Sequence, residues 1–329
     1  MHDPKPEIKP SRKPNINPTF SAYPGQFFLW TYLYYYVGAA DGGGHTTGNA
    51  NDSIQTNIQY QLGRKVGDSL KFTIWRDPGG HFAFQTSNGN FITAVNGGGL
   101  TSDVLLTNAI DIAGWEEFQV VPIPNSVQFF FSIQTYSKNY LTAVGGGGEL
   151  TYAIHSDATS VSLWESFTFR KCGDLGSGYQ YLIVPSLLNG GITAIAAING
   201  GGQTQNTLGL FMVGRGIPLD WARFSLIRQS NGSYAIRTLN EYFLTAVDGG
   251  GQDYGTSTSD NIQTNRTVAD TWEQFRFIEM EDSTYVIQTY SGQYIGQRTF
   301  GQGKEGEYST DIGDINLAIR FWLIPSSFL

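Results

Sequence analysis

The chain has 329 residues, which is the length of about two ordinary domains. Only 15% of its residues are charged, whereas 41 are glycine and 14% are aromatic, a composition typical of a packed β protein rather than a disordered one. The net charge of −8 repels polyanions, so a protein that tracks nucleic-acid phosphates is excluded and no nucleic-acid partner is expected.

The first residues are rich in proline and lysine and have no apolar core, so they resemble neither a signal peptide nor a membrane anchor. We interpret residues 1–21 as a flexible tail, and we expect a cytoplasmic protein or one exported by a non-classical route. The longest apolar stretch, Phe27 to Val37, is too short to span a bilayer, so no membrane insertion is predicted. Cys172 is the only cysteine, so the fold has no internal disulfide, and we expect a buried thiol.

Internal repetition dominates the rest of the chain. A glycine triplet recurs every 49 to 55 residues, with its first glycine at Gly42, Gly97, Gly146, Gly200, Gly249 and, in a degraded copy, Gly301. Thr-Ala often precedes the triplet, as in Phe243-Leu-Thr-Ala-Val, and Trp-x-x-Phe follows it. This second mark starts at Trp115, Trp164, Trp221 and Trp272, and three of the four copies read Trp-Glu-x-Phe. A third mark, Gln-Thr, stands at Gln85, Gln134 and Gln288, with Arg237-Thr238 as a variant.

Each of the six units contains four short alternating segments separated by Gly, Asn, Ser and Asp, and none has a helical period. In the second unit the pattern predicts strands at about 81–86, 90–95, 103–107 and 115–121. Six four-stranded units are compatible with two β-trefoils of three units each or with a single six-bladed propeller. Both alternatives are all-β.

The order Gln-Thr, Tyr-Leu-Thr-Ala, glycine-rich turn and Trp-Glu-x-Phe resembles the fascin-like β-trefoil repeat over residues 24–329. That family includes an actin cross-linking protein and many accessory modules of carbohydrate-active enzymes. The resemblance implies two tandem β-trefoils. Counting three units from each end places them at 22–172 and 177–329, with a linker at 173–176. The Gln-x-Trp mark of ricin-type trefoils is absent.

Catalytic motifs are missing from this sequence. The four histidines lack metal-ligand spacing, there is no Gly-x-Ser-x-Gly, and no glycine triplet is followed by Lys-Ser or Lys-Thr. We therefore predict no enzyme activity, no cofactor and no metal site. We expect the glycines to form tight turns with positive φ, and we expect the four repeated tryptophans to be core residues rather than ligand contacts.

Two units carry longer loops after the glycine triplet, one spanning 45–53 and the other 252–261. Loops on a rigid scaffold concentrate binding residues, and Asp, Asn and Thr beside an aromatic ring suit the hydroxyls and the C–H face of a sugar. The predicted carbohydrate-binding residues are Asp41, Asn51, Asp52, Asp248, Asp253, Tyr254 and Asp260. The alternatives are plain hydrophilic hairpins or a loop that binds Ca²⁺ through carboxylates.

The first hypothesis for function is a lectin-like, non-catalytic protein whose partners are glycans or polysaccharides, with several shallow sites on one body. A second is cross-linking of actin filaments, as in fascin, although two trefoils and an acidic body favour it less. A third is a scaffold subunit whose partner holds the activity.

Overall fold

A computed structural model describes residues 19–45, 53–102, 104–124, 126, 129–186, 193–211, 216–252, 261–297 and 308–328. Over these ranges the protein is all-β, with short 3₁₀ turns and no α-helix. No helix among them is long and apolar enough to cross a membrane.

The described residues of the first half of the chain form thirteen strands. They are β1 Ser21–Ala22, β2 Gln26–Thr31, β3 Tyr35–Ala39, β4 Ile54–Gln59, β5 Lys71–Arg76, β6 His81–Gln85, β7 Phe91–Ala94, β8 Leu105–Ala109, β9 Phe118–Pro122, β10 Phe131–Gln134, β11 Tyr140–Ala143, β12 Ile154–Ala158 and β13 Phe167–Cys172. The second unit, β6 to β9, thus has the four predicted strands.

The second half contains twelve strands among the residues that the structure describes. They are β14 Tyr179–Pro185, β15 Ala194–Ala197, β16 Leu208–Phe211, β17 Arg223–Arg228, β18 Tyr234–Arg237, β19 Phe243–Ala246, β20 Ile262–Arg266, β21 Gln274–Glu279, β22 Tyr285–Gln288, β23 Tyr294–Gln297, β24 Tyr308–Ile312 and β25 Phe321–Pro325.

Nine 3₁₀ turns accompany the strands in the described ranges. Five contain the start of a glycine triplet: Ala40–Gly42, Val95–Gly97, Val144–Gly146, Ile198–Gly200 and Val247–Gly249. The other four are Asp68–Leu70, Leu219–Ala222, Thr271–Glu273 and Ser326–Phe328.

The strand pairing closes two separate barrels. In the first, β2 pairs with β5, β5 with β6, β6 with β9, β9 with β10, β10 with β13, and β13 returns to β2. In the second, the ring runs through β14, β17, β18, β21, β22, β25 and back to β14. Three hairpins accompany each six-stranded barrel, β3–β4, β7–β8 and β11–β12 in the first and β15–β16, β19–β20 and β23–β24 in the second.

A six-stranded barrel with three hairpins is a β-trefoil. The protein is therefore two tandem β-trefoils of three repeats each, as predicted, and the propeller is excluded because the strands close into two rings. The exact domain limits stay a prediction. At the start of the described chain, Phe20 is buried and β1 pairs with β5.

Alternation along the strands separates the barrel interiors from a third buried cluster. In β2, Phe27 and Leu29 face the first core, whereas Phe28 and Trp30 join the third cluster. The same alternation divides β14 and β25, whose Leu182, Val184, Trp322 and Ile324 join Phe28 and Trp30. We call this cluster between the two trefoils the seam.

Strands at the seam are buried on two faces, which explains their continuous apolar sequence. Cys172, at the end of β13, also lies in the seam and is buried, as expected. The turn after β25 crosses from the second trefoil into the first. Its Phe328 packs inside the first barrel, with its ring centroid 4.7 Å from that of Phe169 and 5.3 Å from that of Phe82. The two trefoils therefore share buried surface beyond a simple linker.

Candidate functional site

The glycine triplets form turns that only glycine accommodates well. In the five intact copies every glycine of the triplet has φ between 75° and 114°, which confirms the predicted positive-φ turns. The residue before each triplet is also left-handed, with φ between 50° and 63°, and this position holds Asp41, Asn96, Gly145, Asn199 and Asp248. Asn, Asp and Gly are the residue types that tolerate this conformation.

These turns also join neighbouring repeats. A Cβ on the second glycine of a triplet would collide with the threonine of the next unit's Gln-Thr mark or, in the first unit, with the equivalent Thr31, so the backbone approaches that threonine closely. The contacts run around the first trefoil from Gly43 to Thr86, from Gly98 to Thr135 and from Gly147 to Thr31. The Gln-Thr mark and the glycine triplet recur together because they form one contact between neighbouring units.

A second contact links the Thr-Ala and Trp-Glu marks within three of the units. The hydroxyls of Thr93, Thr142 and Thr245 donate to the carboxylates of Glu116, Glu165 and Glu273, at 2.6, 2.6 and 2.8 Å. The other carboxylate oxygen accepts from the backbone N–H three residues upstream, at 3.0, 2.8 and 2.8 Å. All three glutamates are buried.

The electrostatics of Glu165 match this structural role. Burial alone would raise the pKa of its carboxyl, but hydrogen bonds from Ser162 and Thr142 outweigh burial and hold the pKa below its usual value. A buried carboxylate that is ionised and saturated with donors stabilises the turn. We therefore assign these glutamates to the scaffold.

The prediction that the repeated tryptophans are core residues is wrong for three of the four. Trp115, Trp164 and Trp272 are 46%, 47% and 42% exposed. Each lies in the turn before its strand, where its neighbouring glutamate occupies the buried position. Trp221 differs, since it packs partly buried against the seam.

Each exposed indole lies beside the first glycine of its own unit's triplet. A Cβ on Gly97 would be 3.5 Å from Cδ1 and Nε1 of Trp115, and one on Gly249 would be 3.4 Å from Cδ1 of Trp272. Trp164 lies similarly beside Gly146, at 3.7 Å.

A second exposed apolar side chain comes from the adjacent unit. Tyr290 is 59% exposed and approaches Gly249 as closely as Trp272 does. Tyr136, 62% exposed, lies beside Gly114, next to Trp115 in the chain, and Leu33 lies against Gly146. We call the three pairs the platforms: Trp115 with Tyr136, Trp164 with Leu33, and Trp272 with Tyr290.

Two of the predicted site residues can be placed. Asp41 and Asp248 are exposed at equivalent left-handed positions. The Asp41 carboxylate lies 3.4 Å from Nε2 of His45, whereas Asp248 accepts a hydrogen bond from Gln252 at 3.2 Å and directly precedes Gly249. Asp248 therefore stands beside the platform of the fifth unit.

The other predicted residues, Asn51, Asp52, Asp253, Tyr254 and Asp260, lie outside the described residues, so they stay a prediction. Repetition of a tryptophan in four units by itself indicates packing, so this pattern does not reveal the platforms. The sequence nevertheless contains a signal. The threonine of Thr-Ala and the glutamate of Trp-Glu occur in the same unit only in the three units whose tryptophan is exposed.

At the seam, the units replace this polar pair with small or apolar residues. In the first unit Gly38 and Leu70 occupy the positions of Thr and Glu, and a Cβ on Gly38 would collide with the Leu70 side chain. In the fourth unit Ala196 and Ala222 take these positions, and both are fully buried. The platforms are therefore confined to units that keep the Thr–Glu pair, and none of their six residues belongs to the seam.

No protein-family model and no curated protein matches this chain. Among solved structures, a mosquitocidal holotoxin is similar over 93% of this chain at 12% identity and a TM-score of 0.36, and the match covers 35% of the toxin, so this chain spans about a third of its length. The designed three-fold symmetric protein ThreeFoil is similar over 44% of this chain and 97% of its own, at 15% identity and a TM-score of 0.34. A Polyporus squamosus lectin bound to a human-type influenza-binding epitope is similar over 46% of this chain and 50% of its own, at 12% identity and a TM-score of 0.34. The trefoil fold of this chain rests on the closure of its two barrels.

Proposed function

We propose that this chain is a non-catalytic, lectin-like carbohydrate-binding protein of the fascin-like trefoil kind, whose three platforms are shallow sugar sites. The observation that supports the proposal is the half exposure of Trp115, Trp164 and Trp272 at equivalent, rigid positions. Exposed apolar side chains that lie together in a patch mark interaction sites, whereas single exposed apolar residues are ordinary.

The platforms have the chemistry that a sugar ring requires. An indole provides a flat apolar face for the C–H groups of a pyranose and an N–H donor at its edge. In the fifth unit Tyr290 adds a second ring, and the Asp248 carboxylate and Gln252 amide can bond to hydroxyls at the rim. In the second unit Tyr136 and exposed Asn96 occupy comparable positions.

Each platform is held in place before any ligand arrives. The backbone carbonyls of Trp115 and Trp164 accept hydrogen bonds from Ala94 and Ala143 at 2.8 Å, and the next residue is a buried glutamate. A rigid aromatic surface loses little conformational entropy on binding, which favours affinity even for a shallow site. Three weak sites on one body then add through effective concentration.

Filament cross-linking is the less favoured function for this surface. A net charge of −8 opposes attachment to an acidic filament, whereas neutral glycans are insensitive to it. No observation on the described surface favours the filament, so carbohydrate binding remains the single proposal.

The test is retention of the full chain on a panel of insoluble polysaccharides and a glycan array. We expect retention by at least one glycan and a loss of about 30-fold in the affinity of the fifth-unit site in Trp272→Ala, the scale of an aromatic hot spot. Leu239→Ala is the matched control, because Leu239 is 46% exposed at the position equivalent to Tyr290, but the corresponding tryptophan, Trp221, packs partly buried against the seam. No retention on any glycan at millimolar concentration, or equal retention by the two variants, would reject the proposal.

A further inference from the structure

The seam contains a concentration of buried polar groups without partners. Nine side-chain atoms in the described part of the chain are buried and make no hydrogen bond, and four of them belong to one cluster. They are Nε1 of Trp30, the hydroxyls of Tyr36 and Tyr60, and Nε of Arg170. Buried polar atoms of native proteins are nearly always bonded, so four orphans in one place require an explanation.

The four groups belong to side chains in mutual contact. The Trp30 ring centroid is 4.7 Å from that of Tyr60 and 5.4 Å from that of Tyr36, and the Arg170 guanidinium carbon is 5.1 Å from the Trp30 ring. Trp322, from the second trefoil, covers the cluster with its ring 4.9 Å from Trp30. The cluster is thus enclosed by the two trefoils.

The chemistry of the four groups is that of donors. The indole N–H of Trp30 and the Nε–H of Arg170 donate only, and each tyrosine hydroxyl can donate one proton. A single occupant that satisfied all four would accept several hydrogen bonds at once.

The charges of the seam also favour an occupant that accepts hydrogen bonds. Arg170 is fully buried, and its described contacts are the Thr168 hydroxyl, the Phe169 carbonyl and the Trp30 ring, with no carboxylate among the described residues. The nearby buried carboxylate of Asp282 is paired with Arg320 at 2.8 Å. One positive charge is left without a counter-charge, which is costly in a desolvated site.

Burial is consistent with this imbalance, since it lowers the pKa of the Arg170 guanidinium to about 10. At neutral pH the side chain nevertheless carries its charge. An anion beside it would supply the missing counter-charge and accept the orphaned donors together.

We infer that the seam binds a small anion of halide size, held by Arg170 with Trp30, Tyr36 and Tyr60, and that this anion stabilises the docking of the two trefoils. The ring centroids of Trp30, Tyr36 and Tyr60 lie only 4.7–6.4 Å apart, a spacing that suits a monatomic ion rather than a polyatomic one. The inference is independent of carbohydrate binding, because no platform residue belongs to the seam.

The test uses thermal unfolding of the full chain in halide-free gluconate buffer, in which chloride replaces gluconate at constant ionic strength. Because a ligand that binds only the folded state raises Tm, we expect saturating chloride to raise it by about 5 °C. Arg170→Gln should abolish this rise and Tyr60→Phe should reduce it. Arg228→Gln, which alters an exposed ion pair with Asp174, should retain it.

Crystals grown in sodium bromide give a second readout, an anomalous peak within hydrogen-bonding distance of Arg170. If Arg170→Gln does not fold, Tyr60→Phe and the bromide crystal decide. An equal chloride response in the wild type and Tyr60→Phe, no chloride response in the wild type, or water alone at the bromide position would overturn the inference.

Discussion

The three platform units and the two seam units use the same turn for opposite purposes. In the three platform units a Thr–Glu hydrogen bond fixes the turn and the tryptophan next to the glutamate is exposed, as for Trp272 beside Glu273, which accepts from Thr245. Where the unit faces the other trefoil, the polar pair is replaced by Gly38 with Leu70 or by Ala196 with Ala222. A repeat thus keeps its backbone and changes only the residues that decide between a binding surface and a packing surface.

The seam should behave as part of the protein core. Phe328 is buried within the first barrel although it follows the last strand of the second. Phe328→Ala should cost about 4 kcal/mol of unfolding free energy, as expected for loss of a buried phenyl ring. Urea unfolding should remain a single transition with a lower midpoint.

The control for Phe328 is Leu317→Ala, because Leu317 is 73% exposed and its loss should cost less than about 0.5 kcal/mol. Two separate unfolding transitions in the wild type would contradict a shared core.

The Thr–Glu pair of the platform units should show strong coupling. Glu273→Ala should cost about 3 kcal/mol, because it leaves the buried Thr245 hydroxyl and the Asp270 N–H without their acceptor. The double variant with Thr245→Ala imitates the Ala–Ala pair of the fourth unit and should cost about 1–2 kcal/mol less than the sum of the single changes. A denaturant-based double-mutant cycle measures this coupling, and an additive result would show that the pair is not a unit.

Stability and binding should separate between the two kinds of tryptophan. Trp221→Ala removes a side chain packed on the seam and should cost about 3 kcal/mol, whereas Trp272→Ala should cost about 1 kcal/mol because the indole is half exposed. Calorimetry of the two variants gives the comparison. Equal losses of unfolding free energy in the two variants would show that Trp272 contributes to the core as Trp221 does.

Much of the fold could be predicted from the sequence, because each repeat of the trefoil carries the same local sequence patterns. Glycine triplets require positive φ and alternating segments require strands, so the six units and the all-β class follow directly. The exposure of Trp115 could not be derived in the same way, since exposure depends on which residue of Trp-Glu enters the core. The buried position of Glu116 reverses the usual expectation for these two residue types, and only the Thr93 partner explains it.

The seam was less accessible to sequence reasoning for a different reason. The apolar run from Phe27 to Val37 indicates burial on two faces, but it does not reveal which strand lies opposite. Packing of Trp30 against Trp322 joins residues almost three hundred positions apart, which no local pattern encodes. The long loops, which carried most of the predicted sugar contacts, rest on composition alone.

Substitutions of the residue before each glycine triplet should have the smallest effects on the free energy of unfolding. Asp248→Ala should cost about 1 kcal/mol, because alanine is strained at a φ of 53°. Asp248→Asn should stay within about 0.5 kcal/mol, since Asn96 and Asn199 adopt the same conformation, and it should still weaken glycan binding if the carboxylate contacts hydroxyls. Equal glycan affinity in Asp248→Asn and the wild type would remove Asp248 from the site.

The most direct test of the platforms is a stepwise removal of their tryptophans. Trp115→Ala, Trp164→Ala and Trp272→Ala are combined one at a time, and the affinity of each variant for the polysaccharide that retains the wild type is measured beside its Tm. If the platforms bind sugar, affinity falls at every step and retention is lost in the triple variant, while the circular dichroism spectrum stays that of the wild type. Full retention by a folded triple variant would contradict this account of the protein.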